Sequence, residues 1–228
     1  MTRIGCVCCW IVAAAALSGV NPASAEPTPQ AFALLRDAMA VQPDPRRGED
    51  LYSEHCSNCH SPGAWGKGAA AVPALAGQRE YYLLEQLVQI ASLERNVPAM
   101  HRLLTEQELD RPQALRDLAA FLSQDARNAL TEHGGGRDLD IGERVYRQRC
   151  AMCHGNGGEG SDAEPIPAIA GQHYLYLLTQ LHGFAAGHRG TAEPPVISFV
   201  GGLSERETQA VADYISRLKS PVPDSQRP

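Results

Sequence analysis

The chain has 228 residues, enough for one large domain or for two of about 100 residues each. It carries 26 acidic and 20 basic side chains, a formal net charge of −6. This balance disfavours nucleic acid as a partner and favours a protein with a basic patch. Beyond the N-terminal segment no apolar run is long enough to cross a membrane.

Residues 1–25 predict a secretory signal peptide. Arg3 precedes the apolar run IGCVCCWIVAAAALSGV, and residues 23–25 are the small triplet of a cleavage site. Cleavage after Ala25 would place the mature protein in the periplasm without stable membrane insertion. The alternative is an uncleaved anchor, because about 17 apolar residues just span a bilayer. Cleavage would also remove three cysteines, Cys6, Cys8 and Cys9.

Residues 26–42 predict a helical extension, in which QAFALLRDAMAV forms one helix that braces the first domain. The next helix is predicted to begin at Asp44-Pro45, since proline loses no hydrogen bond at the first helical position. It carries Gly48 and Tyr52 and runs into Cys56. The same pattern returns later in the chain at Gly142, Tyr146 and Cys150.

The chain contains one unit twice, at an offset of 94 residues, the separation of His60 from His154. GEDLYSEHCSNCH aligns with GERVYRQRCAMCH, and VPALAGQREYYLLEQL aligns with IPAIAGQHYLYLLTQL without a gap. Such a repeat indicates duplication of a whole small domain. The predicted units are domains at 43–124 and 139–220, a Gly-rich linker at 125–138 and a disordered tail at 221–228.

Each copy is predicted to contain helices only. A helix opens near Gln78 or Gln172, followed by apolar residues at three- and four-residue spacing. The last helix of each copy follows a sequence that resembles a capping box, at 110–113 and 204–207. No segment alternates in the manner of a strand, so the predicted fold class is all-α.

CSNCH at 56–60 and CAMCH at 150–154 are Cys-x-x-Cys-His sites, which predict covalent attachment of c-type haem. Two cysteines three residues apart reach the two vinyl groups, and the next residue turns its imidazole under the iron. A four-cysteine zinc site is the alternative, but it leaves both histidines without a role. The predicted cofactors are two haem c groups, attached through Cys56, Cys59, Cys150 and Cys153, with His60 and His154 as iron ligands.

A metal-bound histidine donates its other ring N–H to an oxygen acceptor, which fixes the ring and raises its basicity. Pro73 and Pro167 each follow their histidine by 13 residues, and their carbonyl groups are candidate acceptors. The alternative is that these prolines only shape the loop.

The pieces Gly-x-x-x-Tyr, Cys-x-x-Cys-His, Pro-Ala-[Leu/Ile]-Ala-Gly-Gln and Gln-Leu resemble class I c-type cytochromes. Their tandem arrangement resembles the di-haem cytochrome c-four group and covers 43–124 and 139–220. The resemblance implies two small helical domains, each folded around one haem. It also implies that the first and last helices of each domain cross at a glycine–aromatic contact, for which Gly48, Gly142, Phe121 and Tyr214 are suitably placed.

The resemblance also implies a function, the transfer of single electrons in the periplasm. The implied partners are redox proteins such as a terminal oxidase, a quinol-oxidising complex or a periplasmic dehydrogenase. The usual sixth iron ligand of the family is a methionine from the loop before the last helix. Met100 fits this place in the first copy, with His101 as a rival ligand and an apolar core plug as the other alternative. A thioether ligand raises the reduction potential.

The second copy departs from this pattern, because Pro194 stands where the repeat places Met100. We therefore expect the second iron to lack methionine and to be five-coordinate or water-bound. His188 is the best-placed substitute ligand, ahead of His173, His182 and Lys219.

Two functions follow from this difference. In the first, both haems relay single electrons. In the second, an open second haem, fed by the first, binds a small ligand or acts as a peroxidase-like enzyme. Arg95 and Arg189 occupy matched positions and are expected near haem propionates, between the domains or on the surface.

Overall fold

The structure, a computed structural model, describes residues 27–124, 131–189 and 194–219. The predicted signal peptide, the tail at 221–228 and the first part of the linker lie outside these ranges. Within them every regular element is helical, and extended backbone pairs only at an isolated bridge between Lys67 and Val72. The predicted all-α class is therefore confirmed. No helix in these ranges has both the length and the apolar character needed to cross a bilayer.

The described part of the first half, residues 27–124, contains six α-helices and one 3-10 turn, and its core is a cluster of buried, mostly aliphatic side chains. The helices are α1 (Pro29–Ala40), α2 (Pro45–His55), α3 (Ser57–His60), α4 (Glu80–Ala91), α5 (Pro98–Glu106) and α6 (Pro112–Gln124), with the 3-10 turn at Gly68–Ala70.

In the second half, the described residues 131–189 and 194–219 repeat five of these six helices around a separate core. The first helix of this half differs from α2, since it passes into a π-helical turn that ends at the first cysteine of the pair. The helices are α7 (Leu139–Val145), α8 (Ala151–His154), α9 (Tyr174–Ala185), α10 (Pro194–Gly201) and α11 (Glu205–Arg217), with the π turn at Tyr146–Cys150.

Helix α1 packs against α4 and α6 of the first domain. The Thr28 hydroxyl accepts a hydrogen bond from the Ala31 amide (3.2 Å) and caps the helix. Ala31 and Ala38 are buried on the packed face, whereas Phe32 and Met39 are exposed. The extension is thus part of the first domain's core.

The first and last helices of each domain cross at a glycine. A Cβ atom at Gly48 would lie 2.1 Å from the Asp117 carbonyl oxygen and 2.8 Å from Phe121 Cβ. Because glycine lacks that atom, α2 approaches α6 closely, and Tyr52 packs on Phe121 with ring centroids 5.6 Å apart. In the second domain Gly142 faces the Ala210 carbonyl and Tyr214 in the same way, and Tyr146 packs on Tyr214 at 5.6 Å.

The two predicted capping boxes have different outcomes. Ser204 and Glu207 form the box at the start of α11, with side chain and backbone bonded in both directions. The box predicted at 110–113 is wrong, because α6 begins one residue too late for it and Gln113 donates to the Asp117 carboxylate (2.9 Å). Asp117 is fully buried, and its need for donors outweighs the local cap.

Residues 131–138 of the predicted linker lie on α11. The amides of Gly134 and Gly136 donate to the Asp213 carboxylate at 2.9 and 2.7 Å, and Arg217 donates to the Gly134 carbonyl (2.8 Å). Asp213 is only 3% exposed, so these donors compensate a buried charge. This part of the segment is therefore fixed to the second domain.

The helix crossing generates a stability prediction. Gly48→Ala should lower the free energy of unfolding by about 1–3 kcal/mol, because the new Cβ overlaps the α6 backbone. Gly183→Ala in α9 is the matched control, since nothing lies within 4 Å of its added Cβ. Denaturant unfolding of the haem-loaded protein measures both. Equal unfolding midpoints for the two variants would contradict the proposed crossing.

Candidate functional site

In each repeat, the histidine of the Cys-x-x-Cys-His motif forms a hydrogen bond through one ring nitrogen. His60 is 7% exposed, and its Nδ1 lies 3.1 Å from the Pro73 carbonyl oxygen. His154 Nδ1 lies 3.0 Å from the Pro167 carbonyl oxygen. A carbonyl only accepts, so Nδ1 carries the proton and Nε2 has a free lone pair. No described residue hydrogen bonds to either Nε2.

The chain turns sharply directly after each histidine. Ser61 has φ +70° and Gly155 has φ +80°. The hydroxyl of the buried tyrosine one helix earlier holds this turn, because Tyr52 donates to the Ser61 carbonyl and Tyr146 to the Gly155 carbonyl, both at 2.5 Å. The tyrosine of the repeated Gly-x-x-x-Tyr pattern therefore positions the histidine loop as well as the helix crossing.

Burial favours the neutral form of both histidines. Desolvation lowers the pKa of His60 and of His154, although the prolyl carbonyl acts in the opposite direction. A neutral imidazole is the form that binds a metal. Burial likewise raises the pKa of the Cys56 and Cys150 thiols to about 11, so these thiols are protonated.

The cysteine pairs suit covalent haem attachment better than zinc. In each pair the first thiol is half-buried and the second is exposed, and none of the four forms a disulfide. No three His, Cys, Asp or Glu side chains converge on a metal position in the described part of the chain. The alternative of a four-cysteine zinc site therefore lacks support.

The two copies differ where a sixth ligand is expected. Met100 lies on α5, is half-buried and packs against the first domain's core. Its rival His101 bonds through Nδ1 to the Ile90 carbonyl (3.0 Å). In the second copy α10 begins at Pro194 and contains no methionine.

The alternative histidines of the second copy are differently placed. His182 contacts Glu205 (2.9 Å) on the surface. His173 uses Nε2 to contact the Trp65 carbonyl of the first domain (2.7 Å). His188 is exposed.

Two glutamines join the domains reciprocally. The Gln172 side chain accepts from the Ala74 amide and donates to the Ala74 carbonyl, both at 2.9 Å. Gln78 does the same to Ala168, at 2.8 and 2.9 Å. We call these four contacts the amide clamp. Both glutamines are buried, at 5% and 7% exposure.

Further contacts repeat the same crosswise relation. Arg79 donates to the Glu159 carbonyl (2.8 and 2.6 Å), and its repeat partner His173 contacts the carbonyl of Trp65, the repeat partner of Glu159. Each contact from the first domain to the second is therefore matched by a contact between the equivalent residues in the opposite direction. This relation places the two domains about a pseudo-two-fold axis.

The paired arginines lie at this axis. Arg95 donates to Tyr176 (3.0 Å) and Gln180 (3.2 Å) of the other domain and to Gln86 (2.8 Å) of its own. Of the three positions expected for these arginines, the structure shows the one between the domains. Arg189 makes the equivalent set, to Tyr82 (3.3 Å), Gln86 and Gln180 (2.9 Å).

Sequence reasoning missed the amide clamp. The sequence pattern predicts only that helices open near Gln78 and Gln172, whereas α4 and α9 begin two residues later. The available signal is a glutamine that occurs in register in both copies, directly after a Gly and two residues before an amphipathic helix.

Comparison with known proteins finds a matching family model for each of the two domains. A family model described as Cytochrome c matches residues 139–219, and one described as Cytochrome C oxidase, cbb3-type, subunit III matches residues 43–122. The cytochrome c4 of Azotobacter vinelandii is 32% identical, across 72% of this chain and 84% of that protein. The thiosulfate dehydrogenase electron acceptor of Thiomonas intermedia is 29% identical, across 71% of this chain and 77% of that protein.

A solved structure agrees with the fold. Reduced recombinant cytochrome c4 from Pseudomonas stutzeri matches with a TM-score of 0.70 at 27% identity, across 78% of this chain and 100% of that one. Fold and site define a tandem di-haem c-type cytochrome with covalently bound haem c. The chain belongs to the cytochrome c4 family, and it is an electron carrier.

Proposed function

We propose that the chain carries single electrons in the periplasm, with one haem fixed in each repeat. The observation that carries this proposal is the paired histidine geometry, in which Nδ1 is held by a carbonyl and Nε2 has no partner among the described residues. The haem-binding residues are then Cys56, Cys59, Cys150 and Cys153 for the thioether bonds, and His60 and His154 for the iron.

The haem, when bound, supplies the one-electron chemistry. The protein's contribution is to orient the histidine ligand of each iron and to adjust its basicity. The Pro73 carbonyl makes the His60 imidazole a stronger base, which favours ferric iron, and Pro167 does the same for His154. Tyr52 and Tyr146 hold the two histidine loops in place.

For the first iron we propose Met100 as the sixth ligand. Its position on the helix before α6, its packing against the core and the hydrogen-bonded state of His101 support this choice. For the second iron we propose an open or water-bound position. Support comes from the absence of methionine in 194–219 and from the engagement of His173 and His182 elsewhere.

We also propose that haem propionates lie near Arg95 and Arg189. Neither arginine forms a salt bridge with a carboxylate among the described residues, and both donate to tyrosine hydroxyls and glutamine amide oxygens. Two half-buried guanidinium groups at one interface repel each other unless an anion lies nearby. Propionates would supply that anion at the boundary between the two haem domains.

The proposed partners are redox proteins of the exported compartment. One relative is an electron acceptor of thiosulfate dehydrogenase, and the model that matches the first domain is described as an oxidase subunit. We therefore propose a periplasmic dehydrogenase as electron donor and a terminal oxidase as acceptor. The acidic net charge favours a basic docking surface on either partner.

Met100→Ala tests the ligand of the first iron. The variant should lose the thioether–iron absorption band of the ferric protein completely, and the potential of the first haem should fall, because the soft sulfur favours ferrous iron. Met39→Ala is the matched control, since Met39 is exposed on α1. Persistence of the band in Met100→Ala would refute the assignment.

Carbon monoxide tests the second iron and the alternative of small-ligand chemistry. The reduced wild-type protein should bind one equivalent, at the second haem, and Met100→Ala should bind two. Optical titration measures both numbers. No binding to the wild-type protein would show a hidden sixth ligand and contradict the open site. Steady turnover of added peroxide would favour the peroxidase-like function over electron transfer alone.

A further inference from the structure

One peptide group in each domain is shared between the histidine and the opposite domain. The carbonyl of the Pro73–Ala74 peptide accepts from His60 Nδ1 (3.1 Å). The N–H of the same peptide donates to Gln172 Oε1 of the second domain (2.9 Å). The two bonds therefore lie at opposite ends of one conjugated amide.

The other domain contains the same arrangement. The Pro167–Ala168 peptide accepts from His154 Nδ1 (3.0 Å) and donates to Gln78 Oε1 of the first domain (2.8 Å). The orientation of each glutamine amide is fixed, because its oxygen must face an N–H and its nitrogen must face the alanine carbonyl. Each domain thus completes the hydrogen-bond chain of the other domain's histidine.

Within each of these hydrogen-bond chains, the bond at one end of the peptide group affects the bond at its other end. A peptide whose N–H donates to a strong acceptor becomes a better acceptor at its carbonyl, since hydrogen bonds in a chain polarise one another. Both alanines are 5% exposed, and Gln172 and Gln78 are 5% and 7% exposed, so water screens the effect little. A stronger carbonyl acceptor increases the basicity of the imidazole, which stabilises ferric iron and lowers the potential.

We propose that Gln172 and Gln78 are positioning residues that tune the haems crosswise: Gln172 lowers the potential of the first haem, and Gln78 lowers that of the second. This inference rests on the proposed function in one respect, the assignment of His60 and His154 as iron ligands. It makes domain docking part of the redox properties of each centre. By thermodynamic linkage, the oxidation state of each haem then affects the strength of the docking.

The test replaces each glutamine by methionine, which has similar length and cannot form the amide pair. In the full-length holoprotein, Gln172→Met should raise the potential of the first haem more than that of the second. Gln78→Met should do the reverse. Redox titration followed by NMR gives each potential separately, because the hyperfine-shifted haem signals are assigned to their domains by proximity to His60 or His154.

Gln180→Met is the matched control. It lies in the same interface, but Gln180 contacts the arginines of both domains and neither prolyl peptide. It should therefore change the two potentials equally or leave both unchanged. Hydrogen exchange at the Ala74 and Ala168 amides gives a second reading, since exchange at Ala74 should accelerate in Gln172→Met and exchange at Ala168 in Gln78→Met.

The outcomes separate the proposals. Unchanged potentials in both clamp variants, equal shifts of the two haems, or a larger shift of the haem in the substituted domain would each overturn crosswise tuning. These outcomes leave the electron-carrier proposal intact. Absence of iron-shifted ring signals from His60 and His154 in the wild-type protein would overturn the ligand assignment and, with it, this inference.

Discussion

The hydrogen bond from each histidine ring to a prolyl carbonyl is the interaction on which the rest of this structure depends. It determines which ring nitrogen keeps a lone pair, and it fixes the orientation of the ring that follows the two cysteines. The Gly-x-x-x-Tyr pattern serves the same end. Its glycine lets the outer helices cross, and its tyrosine, Tyr52 or Tyr146, holds the loop that follows the histidine.

The internal repeat places this local arrangement in the protein twice, once in each domain. The two copies present equivalent surfaces to each other. Each contact between them therefore occurs twice, once in each direction, as in a symmetric dimer. The amide clamp and the arginine pair both follow this rule. The copies diverge where α5 carries Met100 and α10 contains no methionine, which is the position at which we propose that the sixth ligands of the two irons differ.

Much of the fold could be predicted from the sequence, because the repeat identified the unit and helical periodicity identified its parts. Local signals failed where a buried group decided the outcome. The predicted capping box at 110–113 does not form, because Gln113 donates to the buried Asp117 carboxylate instead. Within the predicted linker, the Gly134 amide donates to the buried Asp213 carboxylate. The role of Gln78 could not be predicted, since its partner Ala168 is 90 residues away and contributes only backbone atoms.

The central claim is that each repeat binds a haem of its own through its own thiol pair and histidine. Peptide mass spectrometry of the mature protein, exported with its maturation machinery intact, tests it most directly. The account predicts two haem-bearing peptides, one containing Cys56 and Cys59 and the other containing Cys150 and Cys153, each with iron. Unmodified cysteines in either peptide, or zinc in place of iron, would contradict it.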